Sequence, residues 1–328
     1  LIYDSQPYPM DNIVEGGDPD AIVEGLIIQE LDSEHNVIFQ WESWDHFNVT
    51  DNTSLDLTEN SIAFIHANSI DIDYDGNFLI SSRNLDEITK IDRESGEIIW
   101  RFGGSQNDFE FINDYPFSRQ HCIKSLGSNK YLLYDNGNLS SNYTGGNNVS
   151  RAVEYELDLD LMTATKVWDF IHPDSLFTPT IGSVQRLENG NTLVNFGNLS
   201  IINRGAVIVE VTPDKEIAFQ LELDTVSNGS SNVYCANKFD WFFDDSIIGC
   251  DNLNACNYEI NTINNDSACL FPGDTCELFT VEEILTGILN DNCECITENS
   301  SLLHELDYNK ELVKIVNLMG KEIYYNNK

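Results

Sequence analysis

The chain has 328 residues, 41% of them apolar, and sets 17 basic residues against 55 acidic ones for a net charge of −38. A field of that sign repels nucleic acid and anionic membrane surfaces. No run of about 18 apolar residues exists to span a bilayer as a helix, and the length suits more than one domain. The first residue is Leu1, not an initiator methionine, and the chain enters in mid-strand, so it reads as an N-terminal truncation.

Residues 1–25 read as one strand fragment and a loop rich in Pro, Gly and Asp, followed by two strands over residues 26–41. The central unit is residues 66–104, HANSIDIDYDGNFLISSRNLDEITKIDRESGEIIWRFGG. Residues 69–73, 78–82, 87–91 and 98–102 carry apolar alternation, with Asp, Gly and Asn between them, the signature of antiparallel strands. The plan recurs at residues 121–134, 151–158 and 165–170, and again at 183–195, 206–211 and 216–223. The unit starts are 55 and 62 residues apart. Repeats of four strands at such a period predict an all-β chain built as a β-propeller, because closing the ring removes exposed sheet edges. A β-sandwich explains the turns but not the repeated unit. Residues 231–243 read as a final strand pair.

Past that point the character changes. Six of the eight cysteines lie beyond residue 249: Cys250, Cys256, Cys269, Cys276, Cys293 and Cys295. In an Asn-rich, acidic segment they read as disulfides made in an oxidising compartment; zinc is the alternative, but no histidine or paired CxxC accompanies them. Residues 278–292 could hold a short helix, and residues 302–326 look strand-like. The expected domains are a propeller over 1–245, a cysteine-rich segment over 246–298 and a small β module over 299–328.

Polar residues at the inner ends of propeller strands face the central channel, where blades converge on a ligand. The unit starts supply His66, His121 and Ser183. Asn68 follows His66 on the same face, and Arg83 ends the adjacent strand. Gln120 precedes His121, Asn136 ends the next strand, and Arg151 opens the third. Two imidazoles, guanidiniums and amide donors make a local cationic site in an acidic protein. That set suits transfer of a tetrahedral anionic group: a neutral imidazole is a good nucleophile near pH 7, and arginine and amide donors stabilise the moving charge. A polar residue at one strand end is commonly structural; the same pattern in successive repeats favours a site.

These runs carry a family resemblance: His66-Ala67-Asn68-Ser69, Ile80-Ser81-Ser82-Arg83, Ile99-Trp100-Arg101-Phe102-Gly103-Gly104, Arg119-Gln120-His121, Tyr134-Asp135-Asn136-Gly137, Ser150-Arg151-Ala152-Val153-Glu154 and Gly190-Asn191-Thr192-Leu193. In that order they resemble the arylsulfotransferase family of secreted bacterial propellers, over residues 1 to about 245. The resemblance implies six blades, incomplete here, and sulfuryl transfer from an aryl sulfate donor to a phenolic acceptor without nucleotide or cofactor. A channel histidine is transiently sulfurylated. Carried over by motif, the resemblance implies that this nucleophile is His121 and that His66, Asn68 and Arg83 bind the sulfate. Gln120, Asn136, Arg151 and Ser183 complete the expected substrate-binding set, Ser183 near where the family has a hydroxyl residue. It is nearest to a branch lacking an extra N-terminal domain, and a further family histidine belongs to an earlier blade that the truncation removes. The competing functions are a non-catalytic propeller that binds a sulfated or other anionic ligand, and an adhesion scaffold carried by the tail.

The tail has its own resemblances. Gly249-Cys250, Ala255-Cys256-Asn257-Tyr258 and Asp266-Ser267-Ala268-Cys269 are similar to repeats in surface proteins of bacteria with type IX secretion. Residues 312–322 (LVKIVNLMGKE) resemble the sorting domain of that pathway, without its usual ending. Together they imply the type IX machinery as a partner, and export to the surface or exterior of a Gram-negative bacterium.

Other signals compete. The run DIDYDGN (residues 71–77) matches the start of an EF-hand loop, but position twelve is Ser82, so a hairpin turn is expected there. His46 is expected to pack, His172 and His304 have no cluster around them, and Cys122 should point away from the site.

Overall fold

A computed structural model of the chain describes residues 1–224, 231–239, 250, 254–256, 269–279 and 284–297. The chain divides into two units, Leu1–Phe239 and Asp240–Lys328. The first is all-β and propeller-like. Its first sheet joins β1 (Ile2–Pro7), β2 (Ile22–Leu31) and β3 (Val37–Glu42) antiparallel, with β4 (Ser61–Ala63) parallel to the start of β2. The second is the meander β5 (Ala67–Ile72), β6 (Phe78–Ser82), β7 (Glu87–Ile91) and β8 (Ile98–Gly103). After β9 (Glu110–Ile112) the third sheet runs β10 (His121–Gly127), β11 (Lys130–Asp135), β12 (Arg151–Asp158) and β13 (Thr163–Ile171), with β9 parallel along the outer edge of β13. The fourth is β14 (Ser183–Arg186), β15 (Thr192–Phe196), β16 (Val207–Val211) and β17 (Ile217–Glu222).

Strand order equals chain order in the second and fourth sheets, and β10 packs beside both β5 and β14. The first strands of successive sheets are therefore neighbours, which is how blades stand around an axis. The parallel strands β4 and β9 are three residues each, too short to show period-two alternation, and sequence reading passed over them.

Side chains from facing sheets fill the space between blades. One cluster joins Leu79, Ile88, Trp100 and Phe102 of the second sheet to Tyr131, Val153 and Tyr155 of the third. The Phe102 ring meets Phe109, Phe117 and Tyr155 edge-on, at centroid distances of 5.7, 5.0 and 5.1 Å. Each such burial contributes roughly 1.5–3 kcal/mol. Gly103, at φ +85°, lets the chain turn out of β8 against this cluster; a Cβ there would sit 2.5 Å from the Asp86 carbonyl oxygen and 2.6 Å from the Phe117 ring.

The EF-hand-like run is a hairpin turn with a cation supplied by the chain. Lys90 Nζ lies 2.6 Å from Asp73 and 2.7 Å from Asp75. Tyr131 donates to Asp73 at 2.8 Å and Ser125 at 2.5 Å. Burial opposes the Asp73 charge, but the hydrogen bonds from Lys90, Ser125 and Tyr131 outweigh it and hold this carboxyl below its ordinary value. A depressed carboxyl contributes stability above its unfolded pKa of about 3.9, lost as the pH falls through the folded value. Lys90→Met strands two acidic groups, one fully buried, and is expected to cost about 3–5 kcal/mol in urea unfolding.

Two expectations about regular structure are corrected. Residues 231–239 form no strand. Main-chain bonds hold it only at isolated points, Val233 N to Gly197 O (3.0 Å) and Gly182 N to Tyr234 O (3.4 Å), and beside β14 side chains take over: Ala236 N donates to Ser183 Oγ (2.9 Å) and Lys238 N to Gln185 Oε1 (2.7 Å). Residues 240–243, the end of that expected pair, lie outside the described residues. In the second unit the segment expected to hold a helix, 278–292, carries strand where it is described, residues 280–283 lying outside the described residues: β18 (Thr275–Phe279), β19 (Ile284–Leu289) and β20 (Cys295–Ile296) make one antiparallel sheet. Cross-strand pairing and the Cys276–Cys295 disulfide override the local helical signal. Cys250–Cys269 and Cys256–Cys293 complete the set, as the disulfide reading expected. His304 and the sorting-domain-like residues 312–322 lie outside the described residues, as does the remainder of the strand-like stretch at 302–326.

Candidate active site

His121 opens β10 and is 3% exposed. Its Nδ1 lies 2.6 Å from Asn136 Oδ1 and 3.1 Å from the Arg119 carbonyl oxygen. The Asn136 amide donates both hydrogens elsewhere, to Thr178 O at 2.7 Å and Ile181 O at 2.9 Å. Its oxygen can therefore only accept, and so can a carbonyl. Nδ1 must carry the proton, which leaves the lone pair on Nε2. Nε2 makes no hydrogen bond among the described residues.

Burial is the main force on the ring, with Arg83 adding to it, and together they push His121 down to about 4 against the Asn136 hydrogen bond. His66 feels the same pressures, burial first and then Arg83 and Arg119, and its pKa is lowered too. Both imidazoles are neutral at pH 7. The charge of His66 also acts on His121, so the two share one environment.

Arg83 stands in the short turn after β6. It donates to Asn84 Oδ1 (3.0 Å) and reaches the Pro179 carbonyl oxygen (3.2 Å), in the same 178–181 loop that anchors Asn136. No carboxylate lies within ion-pair distance of it among the described residues. Burial and then Arg119 lower its pKa. Arg119 was not singled out from sequence, although it begins the Arg119-Gln120-His121 run; a cation two residues before the histidine of so acidic a chain was the available signal. It donates to Asn84 Oδ1 (2.9 Å) and Ser54 Oγ (2.7 Å), and Asp86 lies 3.9 Å from its Nε. Two neighbouring guanidiniums, one with no carboxylate in ion-pair range, concentrate positive charge beside the histidines, and the Asp86 charge acts on both.

The backbone here departs from plain strand geometry. His66, Arg119 and Ile181 have φ of +42°, +57° and +54°. For non-glycine residues this costs about 1–3 kcal/mol each and gathers at functional sites. A register shift lies between Ala67 and Ser69, so Asn68 leaves the simple alternation expected of it. Its Nδ2 donates to Gln120 O at 2.6 Å, while its Oδ1 is buried without a partner.

Two aromatic rings, for which the sequence held no signal, complete the surroundings. Tyr3 stacks on His66 with centroids 5.8 Å apart, and its hydroxyl donates to Ala67 O at 2.6 Å. Tyr234 stands edge-on to His121 at 6.1 Å, and its hydroxyl is 3.4 Å from Asn68 O.

The remaining expected site residues are committed elsewhere. Gln120 is fully buried and its amide ties together Glu87 O, Ser81 Oγ and Ser82 O (2.9, 3.2 and 3.3 Å). Arg151 pairs with Asp114 (2.8 Å) and Asp135 (2.9 Å) and lies over the Tyr115 ring, so its charge is spent inside the third sheet. Ser183 holds Ala236 and meets no other group of the set. These three brace the fold: a residue at a strand end is as able to face a neighbouring blade as the axis. Cys122 sits in a bulge at φ +55°, bonded through sulfur to Val184, and burial pushes its thiol up to about 11. His46 stacks on Trp41 at 5.0 Å, as expected of a packing residue.

The sequence pattern of the arylsulfotransferase (ASST) family matches residues 12–235, which contain the histidines, Arg83 and Asn136. No curated protein matches the sequence. Solved structures with some likeness include a catalytically inactive virginiamycin B lyase from Staphylococcus aureus with quinupristin, at 16% identity and TM-score 0.30, covering 49% of this chain and 42% of that one. A PQQ-bound aldose sugar dehydrogenase from Streptomyces coelicolor stands at 14% and 0.30, covering 51% and 49%. Selenomethionine-substituted virginiamycin B lyase from S. aureus stands at 12% and 0.35, covering 88% and 75%. The chain spans less than half the length of the first two.

Proposed function

The chain belongs to the arylsulfotransferase family, and we propose from that premise that it moves a sulfuryl group from an aryl sulfate to a phenol through a sulfo-histidine at His121. The observation that carries the reading is the fixed tautomer: Asn136 holds the Nδ1 proton and leaves Nε2 bare, in a ring that feels the charge of Arg83. Nε2 attacks sulfur, the S–O bond to the aryl group breaks, and the phenolate leaves. Arg83 and the remaining Nδ2 hydrogen of Asn68 hold the sulfonate oxygens as charge shifts. A second phenol then attacks sulfur and the N–S bond breaks, restoring the imidazole. Neutral His66 accepts the phenolic proton as the acceptor attacks and passes it to water, which restores the resting site. Because His66 is uncharged, it does not repel Arg83.

The test is release of 4-nitrophenol from 4-nitrophenyl sulfate, with and without added phenol. Release that depends on phenol supports transfer; binding of the sulfate without release would make the chain a receptor instead. Asn136→Ala leaves only the longer Arg119 carbonyl contact (3.1 Å) to hold the Nδ1 proton, loosens the ring, and is expected to slow transfer about 10–100-fold.

The pH profile follows from the depressed His121 pKa. Protonation at Nε2 removes the nucleophile, so kcat/KM is expected to be level through neutrality and to fall about tenfold per unit only below about 4. An acid limb near 6.5, the ordinary histidine value, would contradict a buried neutral His121. The linked stability has the same sign. A histidine with a lowered folded pKa binds its proton more readily when unfolded, so stability is retained above about 6.5 and declines toward about 4.

We also propose export of the protein, on the three disulfides of the second unit and the sorting-domain-like sequence of residues 312–322.

A further inference from the structure

We infer that Tyr234 is an internal sulfuryl acceptor: when no free phenol is present, the group on His121 passes to the Tyr234 hydroxyl and is stored there as a tyrosine sulfate. The inference rests on the sulfo-histidine reading and adds a modification site to it.

Tyr234 is a phenol, the acceptor chemistry of the reaction, carried by the chain itself. Its ring stands edge-on to the His121 imidazole at a centroid distance of 6.1 Å. Its hydroxyl lies along β5, 3.4 Å from the carbonyl oxygen of Asn68. That hydrogen bond is long and easily exchanged. Tyr234 is 55% exposed, so its phenolic proton can leave to solvent. It rides on a segment outside any strand, where its own carbonyl oxygen accepts only a long 3.4 Å bond from Gly182 N, with Val233 N on Gly197 O (3.0 Å) and Ala236 N on Ser183 Oγ (2.9 Å) to either side. Tyr3, the other phenol nearby, is a weaker acceptor: its hydroxyl is held at 2.6 Å by Ala67 O, and its ring lies on His66.

The step balances without a co-reactant. The donor's S–O bond breaks as the His121 N–S bond forms. Tyr234 oxygen then bonds to sulfur, the N–S bond breaks, and the phenolic proton leaves to water. The product is itself an aryl sulfate, so His121 can take the group back and hand it to a free phenol that arrives later. Tyr234 would thus keep the enzyme charged between acceptors.

The experiment incubates the full chain with 4-nitrophenyl sulfate and no phenol, quenches in acid to strip any N-linked sulfuryl group, and maps the remaining mass by peptide fragmentation. The expected result is one sulfuryl group on Tyr234, cleared when excess phenol is added before the quench. It is absent from Tyr234→Phe, which keeps the ring against His121, and from His121→Ala. Wild-type protein that sulfates added phenol but leaves Tyr234 unmarked, or marks Tyr3 or another tyrosine, overturns the inference and leaves the sulfo-histidine reading standing. No nitrophenol release under either condition defeats both.

Discussion

His121→Ala is expected to abolish phenol-dependent release of nitrophenol, by on the order of a thousandfold or more, because it removes the proposed nucleophile. His121→Gln should be as inactive, since an amide in that place has no lone pair of comparable nucleophilicity. Neither loss should come from unfolding. Asn136 keeps its two anchors on Thr178 and Ile181, and the third sheet keeps its ladder. Thermal melts of the variants within a few degrees of wild type would confirm this. A variant that folds normally and still turns over at more than about a tenth of the wild-type rate would move the nucleophile elsewhere.

The second large effect is structural. Arg151→Met is expected to destabilise the first unit by about 3–5 kcal/mol, because it leaves Asp135 buried without its counter-charge and Asp114 with only Lys166, 3.4 Å away. Arg151 is 1% exposed, and its guanidinium also reaches Tyr115 O and the Tyr155 hydroxyl. Urea unfolding at neutral pH measures the loss. The paired variant Arg83→Met should behave in the opposite way, keeping its stability to within about 1 kcal/mol because it breaks no ion pair, and losing about 10²–10³ in turnover if it stabilises the moving charge. Those two outcomes together would separate an arginine that holds the fold from one that serves the proposed chemistry.

That separation marks where sequence reading stopped. The strands were legible because alternation and Asp, Gly and Asn turns are local: β7 and β12 run over Glu87–Ile91 and Arg151–Asp158, as read. The nearness of residues 66, 83 and 121 followed from repetition, since equivalent positions of neighbouring blades must meet at the axis. Which strand-end side chains point inward was not legible. Gln120 and Arg151 answer to partners far along the chain, Glu87 O and Asp114, that no local pattern names. Asn136 was picked out as a donor to substrate, yet its role here is to accept from His121 while gripping the 178–181 loop. Tyr234 enters through a segment that was read as strand and that isolated main-chain bonds and side chains of β14 hold instead. The helix expected in the tail failed for a related reason, because a disulfide and cross-strand partners outvoted a local propensity.

The central claim is that His121 takes the sulfuryl group covalently. The most direct measurement mixes the protein with 4-nitrophenyl sulfate alone, quenches in base within the first turnover, where an N-linked sulfuryl group survives, and locates the added mass. The account predicts one sulfuryl group on His121, appearing with the first equivalent of nitrophenol and discharged by phenol. Nitrophenol released at that rate with His121 unmodified, the group instead passing directly from donor to phenol, would contradict it.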